Sequence, residues 1–183
     1  MTKKISLISF DEELENKELH VKYLNWLNDR EIIKSIAAPS LLKKKELDFI
    51  YSSFKRFTSK NSIGFFIKYN DNQEYIGTCK LDQIDYNSGV AWDGIMIGEK
   101  RYHGKGLSIE VYKSLLDFAF NKLNLNIIYG GCSSYNLPMI KTFEKIGYSY
   151  FKRNIKTDFI DGKYYDHVFY QINKNYFNDL HDH

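Results

Sequence analysis

Cysteine is nearly absent from this 183-residue chain: there are two, Cys79 and Cys132, and they lie far apart. They match no metal-ligand spacing and no disulfide framework, so they read as reduced, buried thiols of a cytoplasmic protein. The five histidines are dispersed as well, with His181 and His183 in the tail, and no metal is expected. Proline is just as scarce. Pro39 and Pro138 stand alone, no Gly/Ser linker joins separate units, and one domain over residues 1–183 is expected. No apolar run approaches the ~20 residues of a membrane span, and the N-terminus carries no signal-peptide pattern. A net charge of +3 is too small to mark a nucleic-acid binder, and Lys43-Lys44-Lys45 suits a solvated helix face.

Aromatic residues, by contrast, are abundant: 15 Tyr and 13 Phe. Most belong in a core and in strands, while a rigid ring with a polar tip also suits a ligand cleft. Alternation predicts a first strand over residues 5–10, and apolar residues at helical spacing predict helices over about 15–36 and 43–58, with Pro39 breaking the pattern between them. A hairpin follows through 64–69 and 75–81, and a further strand covers Val90–Ile97. Next come a helix from Leu107, a strand at 127–130 and a short helix from Asn136 closed by Gly147; strands over 148–155 and 164–172 turn through Asp161-Gly162. The order β-α-α-β-β-β-α-β-α-β-β predicts an α/β (α+β) fold with a mixed sheet.

Arg101-Tyr102-His103-Gly104-Lys105-Gly106 sits between the strand ending at Ile97 and the helix from Leu107. Glycines let a backbone approach a phosphate closely at positive φ, and a helix start supplies unpaired N–H groups with the positive end of the macrodipole. A phosphorylated ligand is expected here.

This loop, the order of elements and the downstream Asn136…Phe143-Glu144-Lys145-Ile146-Gly147-Tyr148 together resemble the GCN5-related N-acetyltransferase (GNAT) superfamily, most strongly from Gly94 to Tyr148. The branch most similar holds ribosomal-protein alanine acetyltransferases and nucleotide-amino-sugar acyltransferases. The resemblance implies a mostly antiparallel sheet of about seven strands flanked by about four helices. It also implies acetyl-CoA or another short acyl-CoA as co-substrate. The pyrophosphate would lie against Arg101, Tyr102, His103, Gly104, Lys105, Gly106, Leu107 and Ser108, where His103 replaces a commoner arginine. The strand Val90–Ile97 would splay from 127–130 to admit the pantetheine arm, and N–H groups at Met96 and Ile97 would hold the thioester carbonyl. Asn136 would contact the arm, be a plain N-cap, or do both.

The resemblance leaves acid and base less defined. A glutamate that many relatives carry on the strand is Trp92 here, with Asp93 beside it on the opposite strand face. Asp93 is the candidate base, or a structural carboxylate. The family's tyrosine acid is Phe143, which leaves Tyr135, Ser134 and Ser133 as nearby hydroxyls. Trp26 and Asn28 in the first helix, with Trp92, are candidate acceptor-binding residues, although Trp26 reads first as core. Tyr164 and Tyr165 could stack a sugar or base, with Lys43, Lys44, Lys45, Lys152 and Arg153 toward a nucleotide's phosphates. The expected acceptor is a small amine, foremost a nucleotide-linked deoxyamino sugar. A protein N-terminus, or a non-catalytic acyl-CoA-binding module, are the alternatives. Relatives often pair, so a homodimer is a further expectation.

Overall fold

The computed structural model describes residues 3–36 and 43–181; Pro39 lies outside them. Among the described residues an eight-stranded sheet carries helices on both faces. The strands are β1 (Ile5–Ser9), β2 (Thr58–Ser59), β3 (Ser62–Tyr69), β4 (Glu74–Asp85), β5 (Val90–Ile97), β6 (Ile127–Ser133), β7 (Ser149–Ile160) and β8 (Lys163–Asn173). The helices are α1 (Lys17–Asn28), α2 (Arg30–Ile36), α3 (Leu47–Phe57), α4 (Leu107–Asp117), α5 (Leu137–Ile146) and α6 (Lys174–His181). Strand order is β1-β3-β4-β5-β6-β8-β7, with β2 on β3. Only β5 and β6 run parallel, so the sheet is mixed and mostly antiparallel as expected.

The helix expected over 15–36 is two helices. Asp29 takes extended ψ (112°), and its carboxylate accepts the Glu31 N–H, capping the second helix where the apolar stripe alone gave no break. The C-terminal helix α6 was also unforeseen: its short polar sequence hides one anchor, Phe177, which packs on Phe120. α1, α2 and α3 close one face around Phe10, Tyr23, Trp26, Phe54, Phe66 and Met96. α4, α5 and α6 close the other around Val111, Tyr112, Phe120, Phe143 and Ile146.

The feature that positions the site is a parting of strands. β5 pairs with β6 only at Val90↔Ile127, Ala91↔Ile128 and Trp92↔Tyr129. Beyond that point β5 stays with β4 as far as Gly77↔Ile97, and β6 stays with β8 as far as Ser133↔His167. A wedge opens between them, as the resemblance implied.

Candidate active site

A cavity of about 810 Å³ runs through this wedge. One end is walled by Gly104, Gly106, Leu107 and Ser108, and by Asn136, Pro138 and Met139 of the α5 start. Asp93, Ile95, Ile97, Tyr112, Gly131 and Cys132 line the middle. The other end is lined from α1, α2, α3 and β4 by Tyr23, Glu31, Ser35, Phe49, Ser52, Ser53, Arg56, Thr78 and Lys80.

The loop end is built for an anion. Gly104 and Gly106 hold φ +73° and +74°, and a Cβ at either would meet nothing within 4 Å. Gly106 is the N-cap of α4 and offers no side-chain cap. Among the described residues no partner is recorded for the backbone N–H groups of residues 104–108. Unpaired amides at a helix start, beside open space, fit a pyrophosphate. Glu74 fastens the loop. It accepts from Tyr102 Oη at 2.8 Å, from Lys22 Nζ at 3.1 Å and from the Arg101 guanidinium. Burial opposes its ionisation, yet these three bonds hold the carboxyl down to about 2. The two cations expected at the phosphates have other neighbours here. Arg101 is committed to Glu74 and lies in a separate dimple with Trp26 and Lys100, and Lys105 stands over the Tyr102 ring at 5.1 Å.

In the middle, the ladder decides which amides are free. Gly98 N–H donates to the Ile76 carbonyl at 2.8 Å, one step past the Ile97↔Gly77 pair. Opposed residues alternate in an antiparallel ladder. Met96 therefore turns its polar backbone toward β4, and Ile95 and Ile97 turn theirs into the wedge. The Ile97 carbonyl accepts there from His103 Nε2 at 2.8 Å. Of the two amides expected at the thioester, Ile97 is so directed, Met96 is not, and Ile95 joins it.

Asp93 faces α4 and α5. Its carboxylate accepts from Tyr112 Oη at 3.3 Å and from the Tyr148 hydroxyl. Gly130 makes room for it: a Cβ there would come within 2.8 Å of Asp93 Oδ1. Burial pushes the carboxyl up to about 7 against the pull of the two tyrosine bonds and Lys80. An unfolded aspartate ionises near 4, so between pH 4 and 7 the folded chain keeps a proton that the unfolded chain has lost. Stability must fall as pH rises through that window and level off above it. Asp93→Asn should remove the slope. Allowing for the cavity's solvent, the variant gains about 2 kcal/mol over the parent at pH 8, several degrees in midpoint, and nothing comparable at pH 4. Thermal unfolding of both proteins across pH 4–8 measures this, and a constant gap would contradict it.

The remaining candidates are scattered. Asn136 lines the cavity and is the N-cap: its Oδ1 accepts the Met139 N–H, and its Nδ2 donates to the Ser35 carbonyl. Trp26 is buried over Gly98 and donates to Glu99, Asn28 exchanges two bonds with the Lys45 backbone, and neither lines the cavity. Trp92 stacks on Tyr129 at 5.1 Å on the α1–α3 side, also outside the lining. Ser134 is held by the Asp166 carbonyl, and Tyr135 is exposed beside Tyr165; both stand off the cavity. Tyr164 packs on Phe159, Lys152 covers Phe169 and Arg153 pairs with Asp166. The cations that line the far end of the cavity are instead Arg56 and Lys80, converging on Asp82 at 2.6 and 3.3 Å. No local signal marked them. Tyr112 was missed too, because at helical spacing it reads as core.

A family model described as "Acetyltransferase (GNAT) domain" matches residues 13–149. The chain belongs to the GNAT acetyltransferase family. An uncharacterized N-acetyltransferase p20 of Bacillus licheniformis is 34% identical over 84 residues, 46% of this chain and 47% of that protein. An N-acetyltransferase 9-like protein of Nematostella vectensis is 27% identical over 146 residues, 73% of this GNAT chain and 71% of that one. The chain thus spans about half the length of the first of these relatives. The fold is shared with a spermidine N-acetyltransferase from Vibrio cholerae solved with CoA and spermine, at TM-score 0.81 and 21% identity over 96% of this chain and 99% of that one. Acetyl-CoA is the GNAT family's co-substrate, and the described residues hold no cluster suited to a metal ion. Among them no helix is long and apolar enough to cross a membrane.

Proposed function

We propose that this GNAT protein transfers an acetyl or other short acyl group from acyl-CoA to the primary amine of a small acceptor, by direct attack with both substrates bound. The observation that carries this is the single cavity joining a phosphate cradle to a polar wall across the parted strands. A covalent relay through cysteine is disfavoured. Burial pushes the Cys132 thiol up to about 12 and Cys79 higher still, which withholds the thiolate a nucleophile requires. The thioester carbonyl would lie against the Ile95 and Ile97 amides, and the leaving thiolate on the Asp93–Tyr112 side. A carboxyl near 7 backing a phenol that borders the cavity is suited to returning a proton there.

The acceptor wall combines Arg56 and Lys80 with the hydroxyls of Ser35, Ser52, Ser53 and Thr78 and the rings of Tyr23 and Phe49. This suits an amine attached to a hydroxyl-rich, negatively charged body, and a nucleotide-linked deoxyamino sugar is such a molecule. A polyamine is the second reading. Glu31, whose carboxylate has no ion pair among the described residues, favours it, and the two cations oppose it. Thiol release from acetyl-CoA with a nucleotide-linked deoxyamino sugar, spermidine and an alanine-initiated peptide separates the readings. Release with the sugar alone is expected, and spermidine- or peptide-dependent release would replace it. Arg56→Ala should raise the KM for the sugar roughly ten-fold with little change in kcat, since a rim charge contributes uniform binding.

A further inference from the structure

We infer that His167, oriented by Asp158, is the base that takes the proton from the attacking amine; this rests on the acyl-transfer reading above. In register, β8 places His167 opposite Ser133 and Phe169 opposite Gly131. Trp92, Tyr129 and Phe169 form one aromatic cluster, and the His167 ring lies 4.7 Å from Phe169. The imidazole therefore stands on the acceptor face of the sheet, opposite to the face Asp93 takes. A Cβ on Gly131 would lie 2.9 Å from His167 Nε2. Gly131 lines the cavity in the wedge and His167 stands behind it, itself outside the lining; the missing side chain leaves Nε2 against that wall, one water from the space where amine and thioester would meet.

The second observation is what holds the ring. His167 Nδ1 lies 2.9 Å from Asp158 Oδ2, and Asp158 is only 6% exposed. A buried carboxylate needs a partner, and in the neutral ring that partner is Nδ1–H. This tautomer leaves the Nε2 lone pair as the acceptor, and no bond to Nε2 is recorded among the described residues. The sequence builds the pair with a bulge. β7 pairs Asn154 with His167 and Asp158 with Tyr165, so residues 155–157 stand opposite Asp166 alone, and Lys156 takes φ +52°. Surplus residues next to a site re-aim a side chain, and here the re-aimed side chain is Asp158.

The step balances without a further reactant. The amine nitrogen attacks the thioester carbon, a C–N bond forms and its proton passes to Nε2. The C–S bond breaks with its electron pair on sulfur, the thiolate takes a proton from the Asp93–Tyr112 side, which water replenishes, and the imidazolium gives its proton up to water. In this scheme His167 takes the proton, directly or through one water, and Asp158 is a positioning residue.

The test is thiol release from acetyl-CoA with the amine panel named above, alongside calorimetric titration of CoA. His167→Gln, which keeps much of the side-chain volume, is expected to lower kcat about 100-fold or more, with CoA affinity within about two-fold of the parent. Added imidazole is expected to restore activity to His167→Ala. Asp158→Asn should lower kcat about ten-fold at unchanged KM for acetyl-CoA, with the CoA-binding stoichiometry in the calorimetric titration equal to the parent's, whereas loss of folded protein would lower stoichiometry and apparent kcat together. Parent-like kcat in His167→Gln would overturn the inference. Failure of the unaltered protein to release thiol with every amine would instead overturn the acyl-transfer reading beneath it.

Discussion

Gly106→Val is expected to abolish measurable CoA binding, lowering affinity at least about 100-fold, or about 2.7 kcal/mol. Gly106 sits at φ +74° with nothing within 4 Å of a built Cβ, so no clash opposes the new side chain. The conformation itself opposes it. A β-branched residue held in the left-handed region costs about 1–3 kcal/mol, and an exposed loop relieves that by flipping to negative φ. The flip turns the amides of residues 104–108 out of the cradle, and because no side chain caps α4 the phosphate loses the donors that would receive it. Gly162→Val provides the control. It has φ +81° and equal open space, but lies at the tip of the β7–β8 hairpin. Its stability should fall by a similar amount while CoA affinity stays put. Calorimetric titration of both variants reads the contrast, and equal loss of affinity would show that the loop's role is general stability.

The geometry of the proposed phosphate loop could be read from sequence because its signal is local: two glycines, a strand before and a helix start after occupy ten consecutive residues. The parting of β5 and β6 was expected from family likeness, and the registers bear it out. The proposed acceptor wall was not legible, for a different reason. Arg56 lies on a helix and Lys80 on a strand, and only their convergence on Asp82 and the proximity of Gly94 to the Lys80 stem place both at the cavity. Trp26 misleads in the same way. An indole in a helix suits a sugar platform or a core equally, and Gly98, far along the chain, decides for the core by admitting the ring. Arg101 reads as a phosphate contact, and its pairing with Glu74, 27 residues away, has no local signal. The Asp158–His167 pair depends on a bulge whose residues have no distinctive composition, so periodicity cannot announce it. Local backbone chemistry survives in sequence; side-chain convergence across strands does not.

Gly77→Ala should be the most damaging single-methyl change in the protein. A Cβ at Gly77 would lie 2.1 Å from the Met96 carbonyl oxygen and 3.0 Å from the Ile97 Cα. Both are backbone atoms of the neighbouring strand, so no rotamer change relieves the overlap and β4 must separate from β5. We expect a loss of about 3 kcal/mol or more, roughly 10 °C in the unfolding midpoint for a domain of this size. The damage is not confined to stability, because the same ladder turns the Ile95 and Ile97 amides into the wedge. Any folded fraction should therefore show a lower kcat than its concentration explains. Gly94→Ala distinguishes this from a general intolerance of side chains on the strand. Its Cβ would come within 2.9 Å of Lys80 Cε, the far end of a flexible chain that can swing aside. That variant should fold with a midpoint near the parent's while its acceptor KM rises, since the displaced ammonium belongs to the acceptor wall. Thermal unfolding of the two variants side by side checks the ordering. A midpoint for Gly77→Ala within about 2 °C of the parent would mean that the β4–β5 ladder does not direct the Ile97 amide as drawn.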